Sequence, residues 1–146
     1  MSNTTEIVQT LGQAELFNGL DEDTLTRIAK VSAIKTFGEN DVLYGPGDDA
    51  TDVFVLMSGR VRFLLDSSGR SRSSGSVMSS RKVFGWAALV PEHPHRVATA
   101  VCLELSKVIA VNGKKLLDIL EANTGAGFLV MRRLTEVVAR SFMDQK

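Results

Sequence analysis

The sequence predicts a mainly β domain with flanking helices: an eight-stranded, jelly-roll-like β-roll with N-terminal helices before it and two C-terminal helices after it. Three observations predict this. Apolar residues recur at helical spacing up to residue 36, short apolar runs alternate with glycine-bearing turns over residues 37–112, and helical spacing returns over 113–146. That order, helices on either side of a run of strands, fits one layered unit. At 146 residues the chain can bury the core of one domain and is short for two.

Residues 5–36 are expected to be helical. Ile7, Val8 and Leu11 share a face, Leu16-Phe17 follows, and the turn Asn18-Gly19-Leu20 separates a second helix. Asp21 is a suitable N-cap for it. Glu22 and Asp23 set negative charge against the positive helix end, and Leu25, Ile28 and Ala29 supply a core face. From Thr36 the period changes. Val42-Leu43-Tyr44 runs into Gly45-Pro46-Gly47-Asp48-Asp49, and Val53 to Met57 runs into Ser58-Gly59. Val61, Phe63 and Leu65 then alternate with Arg60, Arg62 and Leu64, which predicts one face in water. Asp66-Ser67-Ser68-Gly69 predicts a hairpin turn. Arg70 to Lys82 holds six serines and four basic residues, too polar for a core element, and fits either a solvated loop or an edge strand.

Ala100 to Leu103 and Lys107 to Val111 read as two closing strands. Asn112 should cap a helix from Gly113 to Ala122, with Leu116, Leu117 and Leu120 inward. The break Asn123-Thr124-Gly125 precedes a last helix, Gly127 to Met143. Its apolar positions are Phe128, Met131, Leu134, Val138 and Phe142, widened by Val130 and Val137, while Arg132, Glu136 and Arg140 stack on the opposite side. A stripe that broad can cover its own roll and face a second copy, so a homodimer through this helix is expected.

Seventeen basic and seventeen acidic residues give no bulk charge to draw nucleic acid or an anionic membrane, so a charged partner must be met locally. The single cysteine, Cys102, excludes an internal disulfide and suits a reducing compartment; in its apolar run it reads as a buried structural thiol. The N-terminus has no basic start or long apolar core, and no stretch approaches the length of a membrane span. The expected location is the cytoplasm.

The stretch Phe84 to Thr99 holds the recognisable chemistry. Phe84-Gly85 lets backbone approach a ligand closely, Trp86-Ala87-Ala88-Leu89 forms a short helical turn with outward N–H groups, and Arg96 follows. A helix start with a guanidinium nearby suits a phosphate. His93-Pro94-His95 invites a metal reading, but the chain has no other histidine, and Thr99 and Ala100 stand where an acid would be sought. No nucleophile-base pair or triphosphate-type glycine loop is present in the sequence. Catalytic residues, metal ligands and cofactors are therefore not expected.

Phe37-Gly38-Glu39, Gly47-Asp48, Ser58-Gly59-Arg60-Val61, Phe84-Gly85 and Arg96-Val97-Ala98-Thr99 occur in this order. Together with Leu16-Phe17-Asn18-Gly19-Leu20 they resemble the cyclic nucleotide-binding domain family, as in the effector domain of the catabolite activator protein, over residues 13–143. The resemblance implies a cyclic phosphate held at the short helix by Gly85, Ala87, Ala88 and Arg96, with Val97 and Ala98 beside it. It also implies a glutamate after Phe-Gly that holds the ribose hydroxyl, and here that position is Trp86. An indole has one donor and no acceptor, so it either stacks on a base or fills the pocket. Val97 stands where cGMP-preferring relatives have threonine, which removes guanine selection by a hydroxyl. Arg81-Lys82 replaces the usual glycine-acid turn and would add positive charge near the cradle mouth. Ser141, on the last helix, is the position from which a base contact would come.

Two functions follow from the resemblance. One is a regulatory sensor that binds cAMP or another phosphorylated ligand and signals through its C-terminal helices to an effector protein, without binding DNA or membrane itself. The other is a ligand-free dimerisation or partner-binding module whose pocket Trp86 fills.

Overall fold

The computed structural model describes residues 2–67, 70–78, 81–92 and 94–143. Two helices, α1 (Ser2–Gln13) and α2 (Glu22–Ala29), precede five strands: β1 (Ser32–Phe37), β2 (Val42–Tyr44), β3 (Asp52–Ser58), β4 (Val61–Ser67) and β5 (Arg70–Met78). The short strand β6 (Val83–Phe84) leads into a 3₁₀ turn, Trp86–Leu89. Then come β7 (Thr99–Cys102), β8 (Ser106–Asn112), α3 (Gly113–Ala122) and α4 (Thr124–Met143). The mainly β class with flanking helices is the observed one.

The strands form two four-stranded antiparallel sheets, ordered β1-β8-β3-β6 and β2-β7-β4-β5. The first sheet lies between two cores. From β3, Val53 and Val55 point toward the helices and join Ile109, Val111, Phe17, Leu11 and Leu116. Its alternate residues, Phe54 and Leu56, meet Val61, Phe84, Ala100, Cys102, Val108 and Ala110 between the sheets. A strand covered on both faces reads as a continuous apolar run, and Val53 to Leu56 is one. Each fully buried Val, Leu, Ile or Phe contributes about 1.5–3 kcal/mol, so residues such as Phe17, Leu56 and Ile109 dominate the stability. Cys102 is fully buried here, and burial pushes its thiol up, as for a packing residue.

The helix ends form where the sequence provides caps. The Asp21 carboxylate accepts from Thr24 N at 2.8 Å, and the Asn112 side chain accepts from Lys115 N at 2.9 Å. Two boundaries differ from expectation. The helical stretch does not continue to residue 36, because Ser32–Phe37 pairs in full register with β8, from Ser32 opposite Val111 to Phe37 opposite Ser106. The last helix begins at Thr124 rather than Gly127, because the Asn123 side chain caps it through Ala126 N at 3.2 Å. Gly127 is then a contact residue: a Cβ there would lie 2.8 Å from Leu120 O, so glycine lets α4 lie close to α3. The serine-rich segment is an edge strand along Arg70–Met78, paired with β4. The hairpin turn expected at residues 66–69 falls partly outside the described residues.

Candidate functional site

Gly85 sits where β6 becomes the 3₁₀ turn, with φ of 74° in the left-handed region that glycine adopts without strain. A side chain would also be crowded there: a Cβ would stand 3.0 Å from the Phe54 ring, 3.1 Å from Arg96 Nη1 and 3.3 Å from Asp52 O. The turn Trp86–Leu89 spans four residues, and the first N–H groups of such a turn have no intrahelical acceptor. Leu89 is buried and anchors the turn in the helix-side core. Behind it, the start of α3 is packed so closely that a Cβ on Gly113 would lie 2.5 Å from Ala88 O, while Gly113 N donates to Thr51 O at 2.9 Å.

Arg96 is 5% exposed, rare for an arginine. Its backbone is laced to the glycine turn before β3: Arg96 N donates to Asp48 O at 2.8 Å, and Gly47 N donates to Arg96 O at 2.9 Å. This is what the Gly47-Asp48 pair does in the fold. The guanidinium then reaches inward. Nη1 donates to Gly85 O at 2.8 Å and Nη2 to Asp52 O at 2.6 Å. Its plane lies 4.1 Å from the Tyr44 ring centre and 5.8 Å from that of Phe54. Nε is buried and has no partner among the described residues. Burial pulls Arg96 below the ordinary arginine value, opposed by Tyr44, Asp52 and Asp48. Burial likewise pushes the Tyr44 phenol up to about 12, with the nearby Arg96 charge acting against it.

Between the sheets the rings form a file. Tyr44 and Phe54 stack at 6.1 Å, Phe54 and Phe84 at 5.2 Å, and Phe63 meets Phe84 edge-on at 5.4 Å. Arg96 caps this file at the Tyr44 end.

Of the residues singled out in the sequence, Gly85 and Arg96 are brought into direct contact, with Ala87 and Ala88 half-buried on the adjoining turn. Ala98 is half-buried, whereas Val97 is 77% exposed. Trp86 is half-buried and packs against the helix-side core; the rings between the sheets are Tyr44, Phe54, Phe63 and Phe84. The indole is therefore not what occupies the space between the sheets. Ser141 lies on α4, but its side chain is outside the described residues. The extra positive charge expected at the cradle mouth is elsewhere. β6 pairs with β3 so that Val83 faces Val55 and Phe84 faces Phe54, which sets Arg81 toward the Leu56 end of β3, opposite to Asp52. There Arg81 Nε donates to Gln13 Oε1 at 2.6 Å, and Lys82 Nζ lies 4.0 Å from Glu15 Oε1. His95 is exposed with Nδ1 3.5 Å from Asp49 Oδ1, and His93 is outside the described residues. Among the described residues no three His, Cys, Asp or Glu side chains group as metal ligands. No described helix is long and apolar enough to cross a membrane.

Sequence alone does not single out Tyr44, Phe54, Asp52 or Gly113. Strand alternation carries the only signal for the two rings, and a main-chain acceptor such as Asp52 O carries none.

The two-sheet roll, with its short helical turn and buried arginine, has the fold of a regulatory domain. The family model described as the cyclic nucleotide-binding domain matches residues 34–123, more than half of the chain, and the chain belongs to that family. The sensor domain of the transcriptional regulator DNR from Pseudomonas aeruginosa superposes with a TM-score of 0.81 at 22% identity, covering 99% of this chain and 96% of that one. The regulatory domain of Toxoplasma gondii PKA, solved with cAMP, gives 0.72 at 23% identity, covering 81% of this chain and 44% of that one. The catabolite activator protein of Thermus thermophilus gives 0.73 at 20% identity, covering 90% and 59%. No curated protein matches the sequence.

Proposed function

We propose that this domain is a sensor that binds cAMP, or a related phosphorylated ligand, against Gly85, Ala87, Ala88 and Arg96, with Val97 and Ala98 at the rim. One observation carries the reading: a buried guanidinium beside a left-handed glycine keeps its Nε without a partner among the described residues, and an anionic oxygen would satisfy it. Family membership supports the choice of a cyclic nucleotide. Trp86 in place of a carboxylate removes a charged hydrogen bond to ribose worth about 1.5–3 kcal/mol, so affinity should be roughly ten- to a hundredfold weaker than with a carboxylate there. The role is regulatory and non-catalytic, and its output passes to an effector protein through α4.

The helix supports self-association. Phe128 is 69% exposed on α4, while Met131 and Val138 on the same stripe pack in part against the chain's own core, so Phe128 is the residue that supports a contact with a second copy. Calorimetric titration with cAMP, cGMP and cyclic dinucleotides tests the ligand, and sedimentation tests the dimer. The absence of both heat and a thermal shift at millimolar ligand would sink the sensor reading.

A second reading has its own support. Nη1 and Nη2 of Arg96 are already engaged by carbonyls, and four aromatic rings occupy the space between the sheets. A roll so closed suits a ligand-free dimerisation or partner-binding module. Titration separates the two.

A further inference from the structure

We infer that Glu15 is a positioning residue: its carboxylate ties the strand that carries the ligand cradle to the C-terminal helix, so that a shift of the cradle changes how α4 is held. The inference rests on the reading that the ligand sits at Gly85 and Arg96.

Glu15 lies in the turn between α1 and α2. Its neighbours Ala14, Leu16 and Phe17 are fully buried, and the turn is closed by Phe17 N and Asn18 N donating to Ala14 O, at 3.2 and 2.9 Å. The backbone is thus fixed by the core, while the side chain is 19% exposed and reaches two other parts of the chain. Oε2 accepts from Val83 N at 3.0 Å. Oε1 takes a close hydrogen bond from Arg140 Nη2, and Lys82 Nζ lies 4.0 Å away. The Glu15 main-chain oxygen accepts from Arg133 Nη1 at 3.1 Å. Arg133 and Arg140 are seven residues apart on α4, two turns along one face.

The geometry makes this carboxylate matter more than a surface ion pair. β6 has only two residues and pairs with β3 on one side, so the Glu15 carboxylate is what receives its Val83 N–H. The next residue after β6 is Gly85, whose carbonyl receives Arg96. One continuous path therefore runs from Arg96 to Gly85 O, along β6 to Val83 N, through Glu15, to Arg140. Charge adds to the effect. Lys82 and Arg140 place two cations on the carboxylate while Arg133 holds the main-chain oxygen of the same residue, and if the carboxylate's charge leaves, Lys82 beside β6 and Arg140 on α4 repel each other. A ligand that draws the Gly85–Leu89 turn toward its phosphate pulls on Val83 N–H, and the same carboxylate then loosens or tightens its hold on Arg140.

Amide hydrogen exchange on the full chain tests this with wild type, Glu15→Gln and Arg140→Gln. The Glu15→Gln variant keeps an acceptor for Val83 N–H but loses the charge. Without ligand, Arg140→Gln should raise exchange at Val83 and Phe84 by about tenfold although neither residue touches Arg140, and adding it to Glu15→Gln should raise exchange no further. With cAMP, wild type should change at 85–89 and at 133–143, and Glu15→Gln at 85–89 alone. Unchanged β6 exchange in Arg140→Gln, or an α4 of Glu15→Gln that answers cAMP as wild type does, overturns the inference. Absence of any cAMP effect at 85–89 in wild type counts against the ligand reading alone, and the ligand-free comparison still decides the role of Glu15.

Discussion

Replacing Arg96 by leucine removes two charge-assisted hydrogen bonds, to Gly85 O at 2.8 Å and Asp52 O at 2.6 Å, together with the stacking on Tyr44 at 4.1 Å. Hydrogen bonds to a charged group contribute about 1.5–3 kcal/mol each, and the cation–ring contact about 1 kcal/mol. Against this, the substitution relieves the cost of holding a charge out of water, and leucine suits the aromatic surroundings. The expected net loss is about 2–4 kcal/mol in the absence of ligand. Urea unfolding followed by the fluorescence of the single tryptophan, Trp86, reads it directly. With a slope of about 2 kcal/mol per molar urea, the midpoint should fall by about 1–2 M. Arg96→Lys keeps the charge but not the planar pair of donors, and should fall between the two. A midpoint for Arg96→Leu within experimental error of wild type would refute the reasoning, because the two carbonyl contacts would then hold nothing, and Arg96 would serve a ligand alone.

Three further outcomes are expected. Because the folded Tyr44 phenol titrates at about 12 against 10.0 for a free one, the folded state keeps its proton longer, so this contribution is complete below pH 10 and is lost as pH rises toward 12. Over the full range its size is about 3 kcal/mol, of which about 1 kcal/mol is lost between about pH 9 and about pH 11, and Tyr44→Phe should remove that part of the slope. Gly113→Ala should cost about 1–3 kcal/mol, since the new methyl lies 2.5 Å from Ala88 O, and should weaken ligand binding by displacing the turn; thermal melts and titration check both. Gly59→Ala should cost more, because φ is 96° and the methyl meets Ser106 Cα at 2.6 Å, where neither strand end can yield; urea midpoints for the two variants decide the order.

The features legible in the sequence are those written locally. The period-two alternation of Val61 and Phe63 and the caps Asp21 and Asn112 depend on residue type at short range, and the structure has them in those roles; it also brings Gly85 and Arg96 into contact. What is not legible depends on distant partners. Ser32–Phe37 has no strong pattern of its own and becomes a strand because β8, about seventy residues later, pairs with it. Gly127 reads as an interruption and is a point of close approach between two helices, a fact that belongs to Leu120 as much as to the glycine. At the site, the partners of Arg96 are main-chain oxygens. A side chain can be recognised in a sequence, but the carbonyl that orients it cannot, so the arginine is legible and its engagement is not.

The serine-rich strand β5 has a consequence for the chain in solution. It closes one side of its sheet with nine residues whose outer hydrogen-bonding edge pairs, among the described residues, with no strand of either sheet. An edge of that length built from valine and isoleucine would be a template on which further chains could add without limit. Here its sequence is RSRSSGSVM, in which serine, arginine and glycine fill seven of nine positions, and such residues favour water over a second sheet. The polarity of this segment thus protects a roll that is open at its margin, and valines introduced at Ser71, Ser73 and Ser74 would turn it into one that assembles edge to edge.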